Sequence, residues 1–107
     1  MISLGIESTA HTFGVGIVND KGKFLANIKD SYTTESGGMI PNDASEHHIQ
    51  VCDKVIKDAL KTAKLKIKDI DLITFSQGPG IGHTLRIGAM AARSLHHLHN
   101  IPIVGVN

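Results

Sequence analysis

Phe13, Val15 and Ile17 alternate with Thr12, Gly14, Gly16 and Val18, and a period of two belongs to a strand that buries one face. Between Ala44 and Ala63 the period lengthens. Cys52, Ile56, Ala59, Leu60 and Ala63 recur at steps of three and four, the apolar stripe of an amphipathic helix. A chain that makes this switch has to pack helix against sheet.

The remaining elements follow from the same reading. Ile2 to Glu7 is a first strand, Ser8 to His11 a polar turn, and Lys23 to Ile28 a third strand beyond the turn Asn19-Asp20-Lys21-Gly22. Three strands on short turns form an antiparallel meander. Asp30 to Asp43, with Gly37-Gly38 and Pro41, reads as a loop, and Asn42, Asp43 or Ser45 is expected to cap the helix. Leu72 to Ser76 is a fourth strand, and Gln77-Gly78-Pro79-Gly80-Ile81-Gly82 a turn into a helix from Thr84 to His99.

That helix mixes Gly88, Ala89, Ala91 and Ala92 with Ile87, Met90, Leu95 and Leu98, so both of its sides are expected to be covered. Asn100 and Pro102 stop it. Ile101 to Asn107 reads as a buried strand, and a chain ending there is expected to be part of a longer protein. The order βββ-α-β-α-β makes an α/β fold: a mixed five-stranded sheet with helices packed on it.

Composition narrows the function classes. With 107 residues there is one domain. Eleven Lys and Arg against ten Asp and Glu leave a charge of +1, so no overall basicity argues for nucleic acid. Aromatics are 4%, too few for a base-stacking platform. No apolar run approaches the ~20 residues that span a bilayer, so no membrane partner is expected. The one cysteine, Cys52, cannot form an internal disulfide and suits a reducing cytoplasm.

Two loops carry candidate chemistry. Glu7-Ser8-Thr9-Ala10-His11 offers hydroxyls and backbone N–H groups to a phosphate, or is simply a polar hairpin tip. Glu7 ends a buried strand, where a carboxylate needs a partner. Ser76, Gly78 and Gly80 belong to a glycine-rich turn at a helix start, which either receives an anion or is only a tight connection. It lacks the Lys-Ser/Thr of a P-loop and the spacing of a dinucleotide fingerprint. His47 and His48 stand near Gly37-Gly38. Being about 100° apart on a helix, only one of them is expected to face a site there. His96 and His99 are spaced to chelate a metal or to favour a helix C-terminus. Lys54, Lys57, Lys61 and Lys64 form a stripe, either a solvated face or an RNA contact. Cys52 reads as core.

The segments Leu4 to Thr12, Ala44-Ser45-Glu46-His47-His48, Asp69-Ile70-Asp71, Phe75 to Gly80 and Val104-Gly105-Val106-Asn107 occur in this order. Together they resemble the archaeal and eukaryotic tRNA threonylcarbamoyladenosine synthesis proteins, the O-sialoglycoprotein endopeptidase-like family that supplies the catalytic subunit of the KEOPS complex. The resemblance implies the first lobe of an actin/sugar-kinase/Hsp70-like (ASKHA, ribonuclease H-like) fold, with residues 1–107 an N-terminal lobe and a second lobe beyond. It implies transfer of a threonylcarbamoyl group from its adenylate to the exocyclic amine of the adenosine beside the anticodon.

Further expectations come with it. An adenylate or ATP is faced by Glu7, Ser8, Thr9, His11, His48, Ser76, Gly78 and Gly80. One iron or zinc ion has its ligands beyond Asn107, so residues 1–107 alone are expected to bind no metal and to be inactive. A small dimeric KEOPS subunit docks on the two helices, through Ile87, Met90, Ala91, Ser94 and Leu98. The KEOPS kinase subunit is a further partner, and tRNA is met through the assembled complex in the cytoplasm. His83 and Ser8 depart from the family pattern, where a small residue and often glycine stand. A docking module alone, or the lobe of an actin-like small-molecule kinase, are the alternatives. Ala10-His11-Thr12 and Glu46-His47-His48 argue against the kinase, since phosphoryl transfer requires neither.

Overall fold

The computed structural model describes residues 1–33 and 41–107; Gly37-Gly38 falls outside them. Strands β1 (Ile2–Glu7), β2 (Thr12–Asn19) and β3 (Phe24–Ser31) lead into helix α1 (Pro41–Ala63). A short 3-10 turn (Ile67–Asp69) precedes β4 (Leu72–Ser76), α2 (Gly82–His99) and β5 (Ile103–Val106). The five strands form one sheet in the order β3-β2-β1-β4-β5. β1, β2 and β3 are antiparallel neighbours, whereas β4 runs parallel to β1 and β5 parallel to β4.

Alternation decides what the sheet buries. Leu4 and Ile6, Phe13, Val15 and Ile17, Ala26, and Ile73 and Phe75 are all buried and belong to one core cluster with Val55 and Ala59 of α1 and Ala92 of α2. Both helices therefore lie on one face of the sheet. The opposite face carries Gly5, Glu7, Gly14, Gly16, Asn27, Lys29, Thr74 and Ser76, the alternate residues of the same strands.

Four boundaries and burials differ from the sequence reading. β3 runs on to Ser31, because it pairs with β2 as far as Thr12↔Ser31 and Thr12 and Ser31 share a hydroxyl hydrogen bond of 2.8 Å. Helix α1 begins at Pro41, whose missing N–H costs nothing in a first turn. Asn42, Asp43 and Ser45 are thus inside the helix, with Ser45 Oγ donating back to the Asn42 carbonyl at 2.9 Å. Helix α2 has one covered side: Thr84, Gly88 and Ala92 are buried, but Met90 and Leu98 are 55% and 75% exposed. β5 is an edge strand among the described residues, with Val104 and Val106 half exposed. Asn100 does end α2, in the left-handed conformation.

Candidate functional site

β1 and β4 are adjacent and parallel, yet the chain leaves them in opposite directions, to β2 on one side and to α2 and β5 on the other. Their carboxyl ends form a topological switch point, the place where open α/β sheets receive ligands. The two loops singled out in the sequence meet there. Ile81 N donates to the Thr9 carbonyl at 2.7 Å, and Ser8 N donates to Ser76 Oγ at 3.1 Å. A Cβ on Gly80 would stand 2.6 Å from Thr9 O, so glycine is needed there for loop against loop. Gly78 has φ +149°, a conformation that favours glycine.

Glu7 is exposed rather than buried, which corrects the expectation that a carboxylate ends a buried strand. Its Oε1 accepts from Thr9 N at 2.7 Å and from the Thr9 hydroxyl. The N–H of Thr9 is therefore already satisfied from within the loop. Ser8 points the other way. It is fully buried and its Oγ has no hydrogen-bond partner, because it is pressed beneath Gly88 of α2.

The bare sheet face holds a groove of about 500 Å³. Of the residues named from sequence, Glu7, Thr9 and Ser76 line it; Gly5, Gly14, Gly16, Asn27, Lys29 and Thr74 are added by the fold. Gly5 lies opposite Gly16 and Glu7 opposite Gly14, so the floor is backbone. Nothing in the lobe's packing demands this at two of the positions. A Cβ on Gly16 would find only Ala26 O, at 3.9 Å, and one on Gly14 would make ordinary contacts from 3.6 Å. Both are compatible with a side chain and have none, which keeps the face open.

His11 is exposed, and His48 lies behind the loop, fully buried. His48 Nε2 is 2.9 Å from the Ala10 carbonyl, its Nδ1 is 2.8 Å from His47 Nδ1, and His47 Nε2 is 2.8 Å from Asp30 Oδ1. Both rings of the pair thus converge on the same region, their centroids 5.0 Å apart. Gly37-Gly38, the site edge that only one of the pair is expected to face, lies outside the described residues. Burial lowers the His48 pKa; the Ala10 carbonyl, Glu7 and Asp30 oppose the shift, and His47 adds to it.

The other sequence candidates are scattered. His96 Nδ1 donates to the Ile101 carbonyl at 2.6 Å, closing the turn after α2. Among the described residues no three His, Cys, Asp or Glu side chains group as metal ligands. Cys52 is half-buried, its thiol pushed up by desolvation. Lys54, Lys57, Lys61 and Lys64 are exposed, with Lys57 paired to Asp53 at 2.9 Å. Met90, Ser94 and Leu98 are exposed at helical i, i+4, i+8 spacing, while Ile87 and Ala91 are half-buried against the core. No described helix is long and apolar enough to cross a membrane.

Comparison with known proteins bears on this geometry. YeaZ from Pseudomonas aeruginosa superposes with a TM-score of 0.78 over 99% of this chain and 42% of that one, at 19% identity. Thermus thermophilus RuvC in complex with a Holliday junction substrate superposes with a TM-score of 0.57 over 99% of this chain and 64% of its own, at 11% identity. At such identities the likeness is one of fold, the actin/ribonuclease H-like α/β class. Sequence similarity is far higher to the tRNA N6-adenosine threonylcarbamoyltransferases of Thermococcus gammatolerans and Thermococcus sibiricus, 54% and 55% identical over all 107 residues. That of Metallosphaera sedula is 47% identical over 108 aligned positions. The chain spans 33% of the length of these relatives. Residues 23–107 match the family model described as TsaD, tRNA N6-adenosine threonylcarbamoyltransferase, and the chain belongs to that family.

Proposed function

We propose that residues 1–107 are the first lobe of a two-lobe tRNA N6-adenosine threonylcarbamoyltransferase, and that the glycine floor is this lobe's wall of the adenylate cleft. In the reaction the exocyclic amine of the adenosine beside the anticodon attacks the threonylcarbamoyl carbonyl and loses a proton, the bond from that carbonyl carbon to the phosphate oxygen breaks, and AMP leaves. The observation that carries the reading is the pair Gly14 and Gly16, left without side chains that the lobe itself has room for. Lys29 and Asn27 stand at the rim, a cation and an amide suited to an anionic ligand. No residue of this chain is assigned to the iron or zinc ion of the family, and the transfer itself needs the second lobe. The setting proposed is cytoplasmic.

Gly16→Val in the intact protein tests this. A β-branched residue fits a strand, so the unfolding free energy is expected to hold within about 1 kcal/mol. Affinity for ATP or an adenylate analogue, read by calorimetry, is expected to fall about tenfold or more, equivalent to about 1.4 kcal/mol. Unchanged affinity in the folded variant contradicts the reading.

The exposed stripe Met90, Ser94 and Leu98 supports a second role, the docking of the small dimeric KEOPS subunit on the helices. The KEOPS kinase subunit, and tRNA through the assembled complex, belong to the same reading. Met90→Glu is expected to abolish the defined complex seen by light scattering with that subunit, because it buries an unpaired charge. A variant that still assembles removes Met90 from the contact. A lobe of an actin-like kinase would share the element order but has no use for Glu46-His47-His48.

A further inference from the structure

Three contacts in series join β3, α1 and the β1–β2 loop: Asp30 to His47, His47 to His48, and His48 to the Ala10 carbonyl. Each is 2.8 or 2.9 Å long, hydrogen-bond distance. Three hydrogen bonds need three protons. The Ala10 carbonyl can only accept, so His48 Nε2 carries one. An ionised Asp30 can only accept, so His47 Nε2 carries another. Two neutral imidazoles are then exhausted, and the two Nδ1 atoms would face each other with bare lone pairs. Two imidazolium rings would instead oppose N–H to N–H. A proton placed on Asp30 does not alter the sum, since His47 then accepts there and donates through Nδ1.

We propose that the His47–His48 pair, together with Asp30, holds one proton more than two neutral imidazoles and a carboxylate, and that this state anchors the Ser8–His11 loop from behind. The pair's charge is balanced by Asp30, and the loop is positioned through its Ala10 carbonyl. Glu7 of β1 and Asp30 of β3 are the carboxylates acting on His48. β2 contributes the Phe13 ring, edge-on to His48 at 5.7 Å. The Tyr32 ring lies 6.0 Å from His47, and Asp43 of α1, beside Tyr32, raises the phenol's pKa further after desolvation. None of these is a donor able to replace the shared proton between the two Nδ1 atoms.

The anchor therefore has a pH window with two limbs. On the acid side a fourth proton opposes the Nδ1 atoms. The anchor is therefore lost on that side as pH falls and the pair takes up the fourth proton. On the alkaline side the shared proton leaves and one of the three bonds is lost. The role in positioning rests on the groove reading above; the proton count does not.

The test is nitrogen-15 NMR of the histidine rings in the intact protein at neutral pH. The expected result is three protonated ring nitrogens among the four of His47 and His48, with a nitrogen–nitrogen coupling between the two Nδ1 atoms. Two rings each protonated at Nε2 alone would overturn the proposal, and two protonated nitrogens with the coupling kept would put the third proton on Asp30 and overturn its role as counter-ion. Asp30→Asn supplies a second measurement, since its amide removes the charge and can donate to His47 Nε2. The protonated ring nitrogens are then expected to fall from three to two while the coupling between the two Nδ1 atoms is kept. Three protonated nitrogens in this variant overturn the assignment of Asp30 as counter-ion. Gly16→Val reports on the groove alone, so the two readings fail separately.

Discussion

Phe13→Ala is expected to cost about 3–5 kcal/mol of unfolding free energy, the range for deleting a buried aromatic ring. That is a large part of the ~5–15 kcal/mol a domain commands. Phe13 is fully buried on β2, the strand between β1 and β3, and its ring meets His48 of α1 at 5.7 Å. The ring thus joins the sheet to the helix that carries the histidine pair. Urea unfolding checks the value. Phe13→Leu, which keeps most of the volume, is expected to lose clearly less, and equal losses in the two variants would mean that packing is not what Phe13 supplies.

Gly88→Ala is expected to destabilise by about 1–3 kcal/mol, the usual cost of overfilling a packed core. The new Cβ would stand 2.2 Å from Ser8 Oγ and 3.1 Å from Ser8 Cβ. Ser8 is fully buried and short, so it has nowhere to move. The obstruction is one side chain, and removing it should restore the helix to its place. Ser8→Gly combined with Gly88→Ala is therefore expected to recover most of the loss, a coupling of the size found between residues in contact. Ser8 Oγ has no hydrogen-bond partner, so its removal forfeits none. A double variant as unstable as the sum of the two single ones would contradict this account. Gly105 makes the contrast: its Cβ would meet the Gln77 side chain at 2.2 Å, but Gln77 is exposed and free to swing away.

What could be read from sequence and what could not divides along the range of the contacts. The strand of Phe13, Val15 and Ile17, the stripe of α1 and the stop at Asn100 are local patterns, and the fold keeps them. The glycine floor is not local. Gly5 and Gly16 are eleven positions apart in sequence and become neighbours only through the register of β1 on β2. The open faces of Asn27 and Thr74 join them from two further strands. The resemblance places Gly80 on the ligand side, and the structure adds that its backbone fits against Thr9 of the other loop. The length of β3 and the placement of Asp30 also depend on a partner far along the chain, since Asp30 meets His47 on α1. Val55 belongs to the buried centre of α1, one turn from the stripe residue Ala59 and on the same face, and the 3.6-residue period was signal enough to find it.

The central claim is that the bare, glycine-floored face is the ligand side of this lobe and the helix-covered face is not. The structure of the intact protein with an adenine nucleotide bound tests it most directly. The nucleotide is expected against Gly5, Gly14 and Gly16, with Glu7, Thr9 and Ser76 at its edge. A nucleotide seated away from this face, with the floor left empty, would contradict it.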